Sequence, residues 1–323
     1  MTEPRRTLRL AILDDIHGAY AATNGVRRLK MRAEELRIFT APFGDPKALA
    51  GFNAVLANRE RTRFDRAMIE ALPNLRIIAQ TGNHAYHIDL DAAEARGITV
   101  AKATGRFSRG AAELAVGFMI ALMRQIPESD QAVKGRVWRT PMTRVLHGKT
   151  LGIVGLGHVG RHVARIAAAI GMRVLAWGPR LHPASAAEAG AASVELDELL
   201  AASDVVSIHA TLSPQSRGLI DARRLGLMRR SAILINTARG AIVDEAALAE
   251  ALEAGRIAGA GLDVFAEEPL PANHPFAKLP NVLLTPHLGW PTDEAYADFA
   301  EAAANALIAW LDGRDVARFE SRH

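Results

Sequence analysis

Residues Leu151-Gly152-Ile153-Val154-Gly155-Leu156-Gly157-His158-Val159-Gly160 constrain the fold of this chain more than any other stretch. A short apolar run enters a G-x-G-x-x-G turn, and an Ala-rich amphipathic segment from Arg161 to Ile170 leaves it. That order predicts a strand, a tight turn and a helix start. In such a unit Gly155 permits the turn, Gly157 lets the backbone approach a pyrophosphate, and Gly160 lets helix and strand pack closely. The N–H groups at the helix start then face anionic phosphates. Glycine clusters often mark only a turn; here both flanking patterns are present, and they favour a dinucleotide site.

The rest of the chain alternates in the same way. Strands are expected at Leu8–Leu13, Ala54–Ala57, Leu75–Ala79 and Ile98–Ala101, with helical segments between them. A second series is expected at Leu151–Val154, Arg173–Trp177, Val205–His209, Ala232–Asn236, Gly259–Val264 and Val282–Thr285. The alternation predicts an α/β protein of two doubly wound domains. A helical stretch from Gly110 to Gln125, then an Ala/Arg helix ending near Trp138, separates the two series, and Asp293–Leu311 reads as an amphipathic helix returning to the first. The expected substrate domain is 1–103 plus 289–323, and the expected nucleotide domain is 104–288. With 323 residues, 49% of them hydrophobic, the chain can bury two such cores.

Composition narrows the chemistry. The chain has no cysteine, which excludes disulfides, thiolate metal sites and a cysteine nucleophile. The net charge of +4 comes from arginines interleaved with acids, so no nucleic-acid partner is expected. The longest apolar segment, Leu114 to Met123, is too short to span a bilayer, and the first residues lack the apolar core of a leader. A cytoplasmic protein without a metal or a membrane partner is the expectation.

Three strand ends carry polar groups suited to one reaction: Arg239 after Ile235-Asn236-Thr237-Ala238, Glu267 and Glu268 before Pro269, and His287 after Thr285-Pro286. Ligands in open α/β sheets lie at the carboxyl ends of the strands. An arginine fork suits a planar carboxylate, and a histidine exchanges the proton of a hydroxyl or carbonyl near neutral pH. Each alone reads as a solvated arginine, a structural histidine or a turn. Together, after a dinucleotide motif, they equip a site for interconverting 2-hydroxy and 2-keto acids.

On these residues, and on Gly148–Gly152, Ser203–Val206, Asn236–Gly240 and Gly261–Phe265, the chain resembles the D-isomer-specific 2-hydroxyacid dehydrogenases, which include phosphoglycerate dehydrogenase and glyoxylate/hydroxypyruvate reductase. Weaker matches run through Arg59–Thr62, Thr81-Gly82, His87–Leu90 and Ala112-Glu113. The resemblance implies a flavodoxin-like substrate domain, a Rossmann nucleotide domain and a homodimer built through the latter, around Gly110–Trp138. It implies that Arg239 binds the substrate carboxylate and keto oxygen, that His287 is the acid/base, and that Glu268, rather than Glu267, orients it. It places His158 and Val159 under the pyrophosphate, Thr237 and Ala238 along the nicotinamide, Asp263 beside it, and Gly178 and Gly289 among the cofactor contacts. Backbone amides near Asn83 and His84 are expected to bind substrate.

The chain departs from the family in three places. After Val174–Trp177 comes Gly178-Pro179-Arg180, with no acid for the ribose 2′-hydroxyl; between NAD and NADP this leans towards NADP. Past Gly82 stand Asn83, His84, Ala85 and Tyr86 where a second glycine is common, and His209 is followed by Ala210 rather than proline. Arg59, Arg61 and Arg106 are candidate cations for a substrate phosphate, but solvation is the expected state of at least two, so a glyoxylate- or hydroxypyruvate-like substrate is favoured over 3-phosphoglycerate. The alternatives are an NAD(H)-sensing, corepressor-like binding protein on the same fold, and a dehydrogenase of formate or phosphite. The intact Arg239, Glu268 and His287 argue against the first; Glu268 beside His287 argues against the second.

Overall fold

Short aliphatic runs bounded by turns become parallel strands in a computed structural model that describes residues 7–82, 84–105 and 109–321. The chain divides into two compact units, Met1–Phe107 with Pro291–His323, and Ser108–Trp290. These boundaries lie a few residues beyond 103 and 288, the expected ones.

The first unit has strands β1 (Arg9–Ile12), β2 (Glu35–Ile38), β3 (Ala54–Ala57), β4 (Ile77–Thr81) and β5 (Thr99–Ala103), in the order β2-β1-β3-β4-β5. All pairings are parallel, and the order is that of flavodoxin-like sheets. β3 and β4 are buried along their whole length, as central strands covered on both faces must be. β2 was not expected from the sequence: its Glu-Leu-Arg-Ile pattern alternates exposed and half-buried residues at the sheet edge, without an apolar run to announce it.

Helix Asp293–Leu311 packs on this unit, buried along Tyr296, Phe299, Ala300, Ala303 and Leu307. Its neighbour is helix Asn24–Lys30, where Gly25 is required: a Cβ there would lie 2.2 Å from Ala300 O. Thr292 caps the long helix by accepting the Ala295 N–H. Beyond it, the chain returns to β5 as an antiparallel bridge between Ala101 and Arg318. Truncating the fully buried Phe299 to alanine would cost about 3–5 kcal/mol.

The second unit has β6 (Thr150–Val154), β7 (Arg173–Trp177), β8 (Ala192–Ser193), β9 (Val205–Ile208), β10 (Ile233–Asn236), β11 (Gly259–Leu262) and β12 (Val282–Leu284), in the order β12-β11-β10-β9-β6-β7-β8. The pairings are parallel, and the order reverses at β6, which lies between β7 and β9. β8, only two residues long, was also missing from the sequence reading. One face of the sheet is packed by Leu199, Leu234, Leu248 and Phe276, the other by Phe118, Met119, Val163 and Ile235.

Helix Arg109–Arg124 lies against β11, with Phe118 so close that a Cβ on Gly261 would sit 2.8 Å from it. Helix Ile126–Lys134 follows but stops short of Trp138, contrary to expectation. Arg136 adopts a left-handed φ of 61°, which ends the helix, and Trp138 stands 85% exposed. No helix among the described residues is long and apolar enough to cross a membrane.

Candidate active site

In the second unit β6 hands the chain to Gly155, whose φ of 100° and close approach to Ala210 N (a Cβ would lie at 2.6 Å) admit no side chain. A Cβ on Gly160 would lie 2.3 Å from Gly155 O, so the helix start packs directly on the turn. Gly157 caps helix His158–Ile170 without a side-chain hydrogen bond, and a Cβ built on it would meet nothing within 4 Å. The first N–H groups of that helix, at the sheet's switch point, have no intrahelical partner, and the space beside Gly157 is clear, as a pyrophosphate requires. His158 is exposed and Val159 half-buried on the first turn. Thr237 supplies an orphan: its hydroxyl is buried without a hydrogen-bond partner. These features fit a dinucleotide.

After β7, Gly178 is half-buried and Arg180 is exposed, with no ion-pair partner among the described residues. At the end of β9, burial pushes the His209 imidazole down to about 4, and its Nε2 lies 2.8 Å from Ser207 Oγ.

The catalytic candidates sit at the ends of β10, β11 and β12. Asn236, the last residue of β10, accepts the Ala238 N–H (3.0 Å) and donates to Arg239 O (3.0 Å), which pins the turn carrying Thr237 and Arg239. Gly240 then lets this turn touch the next: a Cβ there would lie 2.0 Å from Phe265 C. Glu268 Oε1 accepts the Phe265 N–H at 3.0 Å, and its Oε2 lies 2.7 Å from His287 Nδ1. Burial pulls the Glu268 carboxyl up, but hydrogen bonds from His287 and Phe265, with the charges of His287 and Arg239, outweigh it and hold it below its ordinary range. Arg239 donates through Nη1 to Ala238 O at 2.6 Å. Glu267 is exposed.

His287 has a left-handed φ of 57°, a conformation a non-glycine residue keeps only when its surroundings impose it. The buried Asp263 imposes it. Its carboxylate accepts from Thr285 Oγ1 (2.5 Å), Leu288 N (2.6 Å) and Gly289 N (2.9 Å), and its carbonyl accepts the His287 N–H (2.9 Å). Burial raises the Asp263 carboxyl, against these bonds and the charge of His287. The bracing roles of Asn236, Asp263 and Thr285 escaped the sequence reading. The available signal was a side-chain acceptor placed immediately at a strand end, where Asx-type turns form.

In the first unit, the loop after β4 carries His84 and Tyr86. His84 Nε2 lies 2.8 Å from Glu60 Oε1, and its ring stacks on Tyr86 at 4.5 Å. Burial pulls Glu60 up, yet His84 and Arg59 hold it well below the ordinary carboxylate range. Arg59, one of the three candidate cations, is engaged. Its side chain is 13% exposed rather than solvated, and its Nε sits 3.1 Å from Glu60 Oε2, so its charge is already matched. Arg61 is exposed. Asn83 and Arg106 lie outside the described residues. His87 reaches Gln80 Oε1 at 3.2 Å, and burial lowers its imidazole further than Glu60 raises it.

Comparison with known proteins points to one family. The profile of the D-isomer specific 2-hydroxyacid dehydrogenase, NAD binding domain family matches residues 116–289. D-3-phosphoglycerate dehydrogenase of Mycobacterium tuberculosis is 41% identical over 255 residues, covering 77% of this chain and 48% of that protein. Glyoxylate reductase of Thermococcus litoralis is 40% identical over 260 residues, covering 78% of each. A crystal structure of phosphoglycerate oxidoreductase from Vibrio cholerae o395 superposes with a TM-score of 0.83 at 31% identity, covering 95% of this chain and 100% of that one. This chain spans about half the length of the curated phosphoglycerate dehydrogenases it matches. On its profile match, its relatives and its fold, the chain belongs to the D-isomer specific 2-hydroxyacid dehydrogenase family.

Proposed function

We propose that this chain interconverts a small 2-keto acid and its D-2-hydroxy acid, with Arg239, Glu268 and His287 as the reacting set. The 2.7 Å contact of His287 Nδ1 with Glu268 Oε2 carries the reading. It commits one ring nitrogen to a carboxylate and leaves Nε2 to exchange a proton with substrate. A bound nicotinamide supplies the hydride to C2 in reduction and accepts it in oxidation. As the keto oxygen gains electrons, His287 Nε2 delivers the proton, and Glu268 supports the positive charge on the ring before that transfer. The Arg239 fork holds the substrate carboxylate and polarises the keto oxygen. Asp263 keeps His287 in place, its carboxylate accepting from Thr285 Oγ1 and from the Leu288 and Gly289 amides.

A glyoxylate- or hydroxypyruvate-like acid is the proposed substrate, because the charge of Arg59 is matched by Glu60 instead of awaiting a phosphate. The exposed Arg180, with Gly178 and Pro179 where an acid would stand, supports NADP over NAD as coenzyme. Ile126, Val133, Val137, Trp138, Met142 and Val145 expose apolar side chains over one segment, which supports a homodimer that covers them.

Initial rates of NADPH and NADH oxidation with glyoxylate, hydroxypyruvate, pyruvate, phenylpyruvate and 3-phosphohydroxypyruvate test the reading. Turnover of glyoxylate or hydroxypyruvate is expected, with Arg180→Ala raising the KM for NADPH about tenfold and leaving NADH unchanged. Coenzyme binding without turnover of any acid would contradict the reading in favour of a nucleotide sensor. Light scattering of the intact chain should give the mass of two copies, and Trp138→Asp with Met142→Asp should shift it towards one.

A further inference from the structure

At the amino ends of the strands of the first unit, the edge opposite Glu60 and His84, a cavity of about 700 Å3 opens. Asn53, Arg76, Arg314, Arg318 and Trp310 line it, with Asp315 as the one acid. Its arginines come from two segments, Arg76 before β4 and Arg314 and Arg318 from the C-terminal stretch, and backbone hydrogen bonds anchor both. Arg76 Nη1 donates to Pro73 O (3.0 Å) and Leu75 O (2.9 Å). Arg314 follows the turn at Gly313, with its own N–H on Ala309 O at 2.9 Å. Arg318 lies in the bridge to β5, between the Lys102 N–H on Ala317 O (2.7 Å) and the Phe319 N–H on Val100 O (2.9 Å).

The counter-charges are weak. Arg314 reaches Asp312 at 3.1 Å, an acid it shares with Arg32, and Arg318 reaches the mostly exposed Glu320 at 3.7 Å; both arginines are themselves mostly exposed. Such exposed pairs contribute little. Three arginines in the lining of one recess, with Asp315 the one acid among the lining residues, suit oxyanions carried on one molecule.

We propose that this recess is a binding site for a small molecule with at least two negative charges, a phosphate ester or a polycarboxylate. Inorganic pyrophosphate and citrate, titrated separately against the full chain at physiological ionic strength, probe the two sources, with Trp310 emission as the reporter and Trp310→Phe as its control. Saturation by one or both is expected, and the probe that saturates first identifies the source. Arg314→Gln with Arg318→Gln should weaken binding by roughly tenfold or more. Arg239→Ala and Arg180→Ala, which remove cations of the second unit, should leave it unchanged. Both substituted side chains are exposed, so thermal midpoints without anion should match; Arg318→Gln alone serves if the double variant unfolds. Absence of saturation below about 10 mM, or equal affinity in the variants, would overturn the proposal.

Discussion

His287 Nδ1 lies 2.7 Å from Glu268 Oε2 in the second unit, and His84 Nε2 lies 2.8 Å from Glu60 Oε1 in the first. Both pairs follow parallel strands at their carboxyl ends. They differ in which nitrogen is committed. The carboxylate holds the inner nitrogen of His287, so the tip of that ring remains for chemistry. In His84 the tip is committed to Glu60, and Nδ1 is buried without a partner. Glu60 is also matched by Arg59, and the imidazole is covered by Tyr86. A short histidine–carboxylate distance is therefore an insufficient sign of acid–base work; the free ring atom decides.

The comparison can be broken most forcefully at the cations. Arg239→Ala should lower kcat/KM for the keto acid about 1000-fold, since on the proposed reading it removes the donor on the developing oxyanion, whereas Arg59→Ala should change it less than about fivefold. Steady-state rates over a range of keto acid concentrations would show the difference.

The carboxylates come next. Glu268→Gln should reduce kcat by about 100-fold, while Glu60→Gln should leave kcat within about threefold and act on stability instead. A carboxylate held below its ordinary range stabilises the fold above that range and loses the contribution as pH falls through it. Urea unfolding should therefore show the wild type losing stability below about pH 4.5, and Glu60→Gln should be weaker at neutral pH by about 1–3 kcal/mol with a flatter acid limb.

The smallest expected effect lies at His209. Its folded value of about 4 is below the ordinary 6.5, so the unfolded chain binds the proton more readily between them. The stability it contributes is complete above 6.5 and declines towards about 4. His209→Gln should remove about 1–2 kcal/mol of the difference in stability between pH 7 and pH 5.

The sequence announced the central strands because they are continuous aliphatic runs, as in Ala54–Ala57 and Leu151–Val154. It did not announce Glu35–Ile38, an edge strand whose exposed side is charged, or the helix stop at Arg136, where the signal is a backbone angle. Glu268 and His287 were legible because each stands in a motif beside proline at a strand end. Asp263 was legible as a polar residue there, but its work on the Leu288 and Gly289 amides depends on how β11 and β12 lie side by side. The Glu60–His84 pair was hidden for a similar reason. The register that sets Ala57 opposite Gln80 brings the two following loops together, and no local pattern records it.

The most direct measurement is single-turnover reduction of glyoxylate by His287→Ala and His84→Ala, each saturated with coenzyme. The account predicts about 1000-fold slower hydride transfer in His287→Ala with coenzyme affinity within about twofold of wild type, and His84→Ala within about fivefold of the native rate. Near-native transfer in His287→Ala, or an equal loss in His84→Ala, would contradict it.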